Sequence, residues 1–194
     1  EEHPMLDQVM SFLLEVVVTL IGGACLLRLY MRWRRMSMGN PVGRLVQALT
    51  DWLVLPLRRL LPPGDRLDAA SLLAAWLLKL LQYAALMTVF GFARWAILPV
   101  LALLGVVKLA VSVATAMVII AAVLSWTQNR NLVSDVLDSL CEPMLAPLRK
   151  RLPLIGGVDL SPLVLVVALQ VVGIVVGSLL ASLFIADAPL VGGG

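Results

Sequence analysis

Five polar side chains lie inside otherwise apolar stretches of the sequence, where they could take part in membrane chemistry. They are Glu15, Lys79, Gln82, Lys108 and Gln170. Inserting an ionisable group into a span costs about 2.5–3.5 kcal/mol, so each is a candidate for function. In one interpretation, Glu15, Lys79 and Gln170 line a polar path for an ion or a proton. In the other, which the sequence favours, they hold helices together: Glu15 pairs with Lys79 or Lys108, and the glutamines form interhelical hydrogen bonds.

The residue types that build most enzyme active sites are scarce in this chain. The only histidine is His3, which removes the imidazole used in haem ligation, proton shuttles and most zinc sites. Cys25 and Cys141 are far apart, and no Cys-x-x-Cys pair, phosphate-binding glycine loop or RNA-binding motif is present. The sequence therefore predicts a non-enzyme without a catalytic, cofactor or metal site and without a nucleic-acid partner.

The composition assigns the chain to a membrane. Of its 194 residues, 61% are hydrophobic and 14% are charged, whereas soluble domains are about 45–50% apolar. The apolar stretches 9–30, 69–92, 96–126 and 160–186 exceed the roughly 20 residues that cross a bilayer. Pro99 suggests that residues 93–104 lie partly along the interface. We predict an all-α integral membrane fold with four transmembrane helices, and we interpret residues 1–4, which precede Met5, as an added remnant.

Positive charge is concentrated in two loops, which follow the first and third spans. Twelve of the fifteen basic residues lie in or beside them: Arg28, Arg32, Arg34, Arg35, Arg44, Arg58, Arg59, Arg66, Arg130, Arg149, Lys150 and Arg151. Since cytoplasmic loops are enriched in Lys and Arg, we predict cytoplasmic basic loops and periplasmic termini. Anionic lipid headgroups are the expected partners of these loops.

The two basic loops repeat one pattern at an offset of 91 residues, with residues 56–62 matching 147–153. The recurring positions are Asn40, Pro56, Arg58, Pro62 and Asp68, then Asn131, Pro147, Arg149, Pro153 and Asp159. Residues 5–92 and 93–194 are thus predicted repeat units, each with a span, an amphipathic helix and a span. We expect them to pack in parallel about a pseudo-two-fold axis along the membrane normal. Lys79 and Gln170 would then face each other near the midplane.

An amphipathic helix is predicted in each basic loop, with apolar residues at spacings of three and four. The two faces are Val42, Leu45, Val46, Leu49, Leu53 and Leu57, then Val133, Val136, Leu137, Leu140, Met144 and Leu148. Asn40 and Asn131 are expected N-caps, and Pro56 and Pro147 should kink or end the helices. These helices are interpreted as interfacial anchors, with partner docking as the alternative.

Two further features concern the ends and faces of the spans. Asp68 and Asp159 precede the second and fourth spans, where we expect each to cap the helix, with a salt bridge to Arg58 or Arg149 as a compatible addition. Gly173, Gly177 and Ala181 form a small-residue stripe on the fourth span. The stripe is interpreted as close packing within the bundle, with dimerisation or docking onto another membrane protein as the alternative.

The second loop resembles the repeat signature of the YggT family. It reads Pro-x-x-x-Pro-Leu-Arg over residues 143–149, then Leu-Pro at 152–153 and Asp-x-Ser-Pro at 159–162. The first copy departs from it, with Trp52 in place of Pro143 and Ala70-Ser71 in place of Ser161-Pro162. The resemblance covers essentially the whole chain. It implies a bacterial inner-membrane protein linked to osmotic or potassium homeostasis, to cell division or, in a plastid branch, to haem attachment on a cytochrome.

Two functions follow as hypotheses. The first is a non-enzymatic scaffold or accessory subunit of a larger membrane complex, docking through its spans and basic helices. The second is a small ion-handling protein active in osmotic or potassium homeostasis. A stoichiometric partner distinguishes the first from the second, for which a self-oligomer with ion flux is expected.

Overall fold

The computed structural model describes residues 3–62, 68–91, 94–127, 130–152, 154, 156–157 and 159–186, with only the backbone described for residues 3 and 4. Its elements are α1 (His3–Trp33), α2 (Pro41–Leu60), α3 (Ala69–Phe90), a 3-10 turn (Trp95–Ile97), α4 (Leu98–Trp126), α5 (Leu132–Arg149) and α6 (Ser161–Ile185). Within these residues the fold is all-α, and α1, α3, α4 and α6 are four helices long and apolar enough to cross a membrane. The predicted fold class is confirmed. Arg66 and Pro153 lie outside the described residues.

The helix ends differ from the ends of the predicted spans at several places, two of which a glycine cap or a proline explains. The first helix starts at His3 rather than at residue 9. Helix α3 stops at Phe90 because Gly91 adopts a left-handed φ of +72° that glycine accepts readily. Pro99 lies in the first turn of α4, where its missing N–H has no helical acceptor. Residues 98–104 therefore continue α4, and only Trp95–Ile97 forms a separate turn.

The starts of α2 and α5 follow the predicted capping chemistry. Asn40 accepts a hydrogen bond from the backbone N–H of Gly43 at 2.7 Å, and Pro41 occupies the first turn. Asn131 accepts from the N–H of Ser134 at 2.9 Å, and the Ser134 hydroxyl accepts from the N–H of Asn131 at 3.0 Å. The reciprocal pair at α5 is a capping box, whereas α2 begins with the single Asn40 cap bond.

The prolines inside α2 and α5 do not end their helices at once. The second helix continues past Pro56 to Leu60, and α5 continues past Pro147 to Arg149. A proline removes one backbone donor and crowds the turn before it, but it leaves the following residues free to remain helical. Each helix therefore ends within about one turn after its proline rather than at it, and the kink remains a prediction.

The apolar residues of α2 divide between the protein and its surroundings. Val46 and Val54 are buried against the bundle, whereas Leu45 and Leu49 are exposed. In α5, Leu137 and Leu140 are buried, and the other apolar positions of its predicted face are at least partly covered. Each helix thus packs on the spans of its own half and is not simply laid on a lipid surface.

The two halves pack their helices in the same order, but one contact between them has no counterpart. In each half the two spans lie along each other, α1 with α3 and α4 with α6, and the intervening helix contacts both. The halves join mainly through α3 and α4, with smaller contacts of α1 with α4 and of α2 with α5. A strict two-fold axis would repeat the α3–α4 contact between α6 and α1, yet α6 does not pack along α1. The predicted pseudo-two-fold arrangement is therefore not confirmed, and the contact of α3 with α4 departs from it.

Candidate functional site: a buried ion-pair cluster beside an arginine-lined cavity

Asp68 is the centre of a charge cluster where α1, α2 and α3 meet. Its Oδ2 lies 2.8 Å from Nη2 of Arg58 and 3.3 Å from Nη1 of Arg32. The hydroxyl of Ser71 donates to the same oxygen at 2.7 Å. Asp68 is buried, so this carboxylate has exchanged water for charged and hydroxyl donors, which the burial of a charge requires.

Arg28 connects the same cluster to α2 from inside the bundle. Only 4% of this residue is exposed. Its Nη1 donates to Oγ1 of Thr50 at 2.9 Å and to Oδ1 of Asp51 at 2.6 Å. Its Nε lies 3.8 Å from Oδ2 of Asp68, which is within ion-pair range but too long for a hydrogen bond. One guanidinium therefore binds α1 to α2 directly and to Asp68 through charge.

The surroundings of Asp68 set its protonation. Burial by itself would raise the pKa of this carboxyl, but the hydrogen bond from Ser71 and the charges of Arg58 and Arg32 outweigh it and hold the pKa below its ordinary value. Asp68 is therefore a carboxylate at neutral pH. Although it occupies the N-cap position of α3, its side chain makes no capping bond to the helix. The predicted capping role is wrong, because the carboxylate binds the arginines and the Ser71 hydroxyl instead of the backbone N–H groups of α3.

A cavity of about 350 Å³ lies against this cluster. Its described lining residues are Arg28, Arg32, Arg35, Met36, Met38, Gln47 and Arg58. The Nε atoms of Arg28 and Arg58 are buried and have no hydrogen-bond partner. The cavity is therefore lined by basic groups, two of which retain an unused N–H donor.

The equivalent place in the second half carries a simpler ion pair. Nε of Arg149 lies 2.7 Å from Oδ2 of Asp159, and Oδ1 of Asp159 accepts from the backbone N–H of Ser161 at 2.9 Å. Burial would raise the pKa of Asp159, but its Ser161 bonds and Arg149 lower it below the ordinary value. Here the predicted contact with the start of the span and the predicted salt bridge occur together.

The polar residues of the spans do not form a shared interior path. Lys79 is buried and donates to Oε1 of Gln82 at 2.8 Å, one turn along α3. Its Nζ also lies 5.8 Å from the ring centre of Tyr83. Glu15, Lys108 and Gln170 are all exposed on the outside of the bundle.

These positions change the expected contacts of the polar set, although the charge of Glu15 still acts on Lys79. No ion pair joins Glu15 to Lys79 or Lys108 among the described residues, and the hydrogen bond of Gln82 is within its own helix. The expected meeting of Lys79 and Gln170 is also wrong, because one side chain is buried and the other exposed. Helix α3 meets α6 through the Tyr83 and Phe184 rings, whose centres are 5.8 Å apart, but this contact does not bring Lys79 and Gln170 together.

The small-residue stripe of α6 does not bring helices of this chain close together. A Cβ at Gly173 would meet Cγ1 of Val111 at an ordinary 3.6 Å, and one at Gly177 would meet nothing within 4 Å. Ala181 is exposed. The close approaches lie elsewhere: a Cβ at Gly22 would lie 2.8 Å from Leu109, and one at Gly105 only 2.6 Å from the Tyr83 ring. Gly173 therefore faces α4, whereas no described residue packs closely on Gly177.

Comparison with known proteins identifies the chain. The CCB3/YggT family model matches residues 8–89 and 100–180. The chain belongs to the CCB3/YggT family. It is 33% identical over 175 residues to the uncharacterised protein YggT of Escherichia coli K12, covering 88% of this chain and 90% of that protein. It is 32% identical over 179 residues to an uncharacterised protein of the proC 3' region of Vibrio alginolyticus, covering 90% and 97%. No solved structure matches it.

The family match confirms the resemblance predicted from the second basic loop. Its two matched segments are consistent with two copies of one unit, each containing a span, a short helix and a span. In this CCB3/YggT member the halves nevertheless differ in charge, since the repeat offset places Ile119 and Val123 where the first half has Arg28 and Arg32. The arginine-lined cavity is thus a property of the first half.

Of the residues that build this cluster, sequence reasoning paired Arg58 with Asp68 but did not connect Arg28 and Arg32 to it. Arg28 was grouped with the basic loop, although it interrupts the apolar run of the first span and lies one helical turn before Arg32. That spacing places both guanidiniums on one side of α1. An acidic residue directly before the adjacent span is the signal that could have connected them to Asp68.

Proposed function

We propose that this protein is a non-enzymatic scaffold or accessory subunit that associates with a larger membrane protein complex through the outer surface of α6. The observation that carries the proposal is Gln170, a polar side chain exposed near the middle of an otherwise apolar span. A primary amide surrounded by lipid tails has no hydrogen-bond partner. A second membrane protein would supply one, and interhelical hydrogen bonds are a common means of association in membranes.

The packing of α6 supports the same proposal. Only 11% of its most apolar stretch is buried, against 33% in each of the other three spans. Gly177 lies on the same helix and would let another backbone approach, since no described residue lies within 4 Å of a Cβ placed there. A polar group and a small residue on the side of α6 that α4 leaves uncovered are what a docking span needs.

The ion-handling alternative has less support from the geometry. A conduction path requires polar groups that face a common interior, but Glu15 and Gln170 face outward while Lys79 is buried and bonded to its own helix. A buried ammonium would also repel potassium.

The location belongs to the same proposal. We place the protein in the bacterial inner membrane with the basic loops toward the cytoplasm and the termini toward the periplasm, because positive loops are retained on the cytoplasmic side. In that orientation α2 and α5 lie at the cytoplasmic surface, where soluble parts of a complex could also reach them.

The test is purification of the full chain in native lipid, followed by identification of the proteins that co-purify. We expect a partner in fixed stoichiometry, and we expect Gln170→Leu to reduce its recovery severalfold without lowering the yield of folded protein. Val171→Ala, at the adjacent and similarly exposed position, serves as the control and should retain the partner. A self-oligomer that conducts ions in liposomes, with flux abolished by Lys79→Met, would contradict the proposal.

A further inference from the structure

The arginine-lined cavity of the first half has the features of an anion site. It lies between the end of α1, the turn that follows and α2, and its volume is about 350 Å³, roughly ten times the ~30 Å³ share of one water molecule. The ionisable groups among its described lining residues are all arginines. Gln47 adds a neutral polar side chain, and Met36 and Met38 supply the apolar part of the wall.

Positive charge exceeds negative charge around this cavity. Four arginines line it, and among the described residues the carboxylates in contact with them are those of Asp51 and Asp68. Asp68 is shared by three of the guanidiniums, so the pairs already formed leave about two positive charges without compensation. A doubly charged anion would balance the group.

Two of the arginines that line the cavity also carry an N–H donor without a hydrogen-bond partner. Nε of Arg28 and Nε of Arg58 are both buried without an acceptor, and each belongs to a side chain that lines the cavity. A buried N–H without an acceptor is costly, especially on a charged group. Because both side chains line the cavity, a small shift of either guanidinium would bring its free N–H to an oxygen of a ligand there, and guanidinium groups match the oxygens of phosphate well.

Arg35, which also lines the cavity, has a backbone conformation that is unfavourable for a residue with a side chain. Its φ is +54°, and among the described residues it is the one non-glycine with a positive φ. The turn closes α1 with bonds from the N–H of Arg35 to the carbonyl of Arg32 and from the N–H of Met36 to that of Met31, a position where glycine is usual. A left-handed arginine at this point indicates a use for the side chain.

We propose that this cavity binds the phosphate group of an anionic ligand, either a lipid headgroup or free inorganic phosphate. Arg28 and Arg58 donate through their free Nε–H groups, while Arg32 and Arg35 balance the charge from the open side. The corresponding cavity of the second half, about 520 Å³ in volume, is lined by Asp138, Glu142 and Asp159 as well as by Arg130 and Arg149. Its excess of carboxylates would repel the same ligand, so the site occurs in one half only. It is separate from the α6 surface and does not depend on the proposed docking role.

The test uses the full-length protein in phosphatidylcholine nanodiscs. One arm titrates inorganic phosphate by calorimetry, and the other replaces part of the phosphatidylcholine with phosphatidylglycerol and measures protein-bound lipid by mass spectrometry. Saturable binding in the first arm identifies free phosphate as the source, and enrichment of phosphatidylglycerol in the second alone identifies a headgroup. Binding in neither arm overturns the proposal.

Three variants separate a built site from general surface charge. Arg32→Gln and Arg35→Gly should weaken binding about tenfold, because each removes one of the positive charges that balance the anion. Arg59→Gln removes the same charge from the residue next to Arg58, outside the cavity lining, and should change affinity less than about twofold. Arg35→Gly should also leave the unfolding temperature unchanged or raise it, because glycine accepts the left-handed φ. An equal loss of binding in Arg59→Gln would overturn the proposal.

Discussion

Arg28 and Asp68 place opposite charges inside a protein that is otherwise almost entirely apolar. Desolvating either group is costly, and the cost is offset only because each has several well-placed partners. Their positions at the end of α1 and just before α3 mean that the pair defines how these two spans meet α2. The cluster therefore favours the correct packing of α1, α2 and α3, because displacing any of them would leave a buried charge without its partner.

Removing the central carboxylate should therefore be costly. We expect Asp68→Asn to lower the free energy of unfolding by about 3 kcal/mol, because Arg28 stays buried with less compensation. The measurement is equilibrium unfolding in detergent micelles.

The repeat supplies the matched control. Asp159→Asn removes the equivalent carboxylate, which is 34% exposed and has one arginine partner that is 51% exposed, so it should cost less than about 1 kcal/mol. If Asp68→Asn and Asp159→Asn lowered the free energy of unfolding equally, burial of the carboxylate would not be what sets the cost.

The same carboxylate makes stability depend on pH. Its folded pKa lies below the ordinary 3.8, so its contribution is complete above 3.8 and is lost as pH falls through the folded value. Arg28 and Arg32 from α1 and Arg58 from α2 stay charged in this range. The stability difference between wild type and Asp68→Asn should thus narrow as unfolding is measured from pH 5 down to pH 3. A difference that widens toward acid would show that Asp68 is protonated in the folded state.

Sequence reasoning anticipated the local partners of this cluster better than the distant ones. The Arg58–Asp68 and Arg149–Asp159 bridges were foreseen because both partners lie in one loop of known repeat spacing. Arg28, Thr50 and Asp51 meet only after two helices fold against each other, and nothing in their spacing encodes the angle at which α2 crosses α1.

At the scale of elements, the helices were predictable because hydropathy and caps act locally. Four spans and two short helices have the expected order, and Asn40 and Asn131 start theirs as expected. The faces were harder to predict. Small residues at a spacing of four pointed to Gly173 and Gly177, whereas the tight contacts are at Gly22 and Gly105, whose neighbours lie on other helices.

Gly105 offers a direct measure of that packing. A methyl group added there would overlap the Tyr83 ring, so Gly105→Ala should destabilise the protein by about 1–2 kcal/mol even after the gain in helix propensity. Thermal unfolding in detergent is the measurement. Gly177→Ala, where nothing lies within 4 Å, is the control and should leave stability unchanged or slightly higher. A loss of partner recovery in this stable variant would add support for docking through α6.

At the scale of the whole molecule, the orientation in the membrane can be tested with one cysteine. We expect Met5→Cys, at a position 75% exposed, to react with a membrane-impermeant maleimide added to intact cells with a permeabilised outer membrane. Cys25 and Cys141 are buried, and burial raises the pKa of the Cys141 thiol to about 11, so their background should be low. Labelling only after the inner membrane is opened would reverse the predicted topology.

The overall arrangement was the least predictable level. A repeat in parallel orientation suggested a two-fold axis, but a repeat fixes only that the units are alike and not how they join. The two units could pack against each other in many ways. The contact of α3 with α4 depends on the shapes of their side-chain surfaces, which hydropathy does not reveal.

Because the contact of α3 with α4 is not repeated between α6 and α1, it affects the stoichiometry of the complexes that this protein could form. Two separate copies of a symmetric unit would offer every surface twice, and a partner could bind in pairs. Here the surface of α6 is offered once per chain and faces one direction in the plane of the membrane. A complex formed through it would contain one copy of this protein for each binding site on the partner. Under the two proposed roles, the first half binds an anion and the second half recognises a neighbouring protein, so the two copies of the unit serve different purposes.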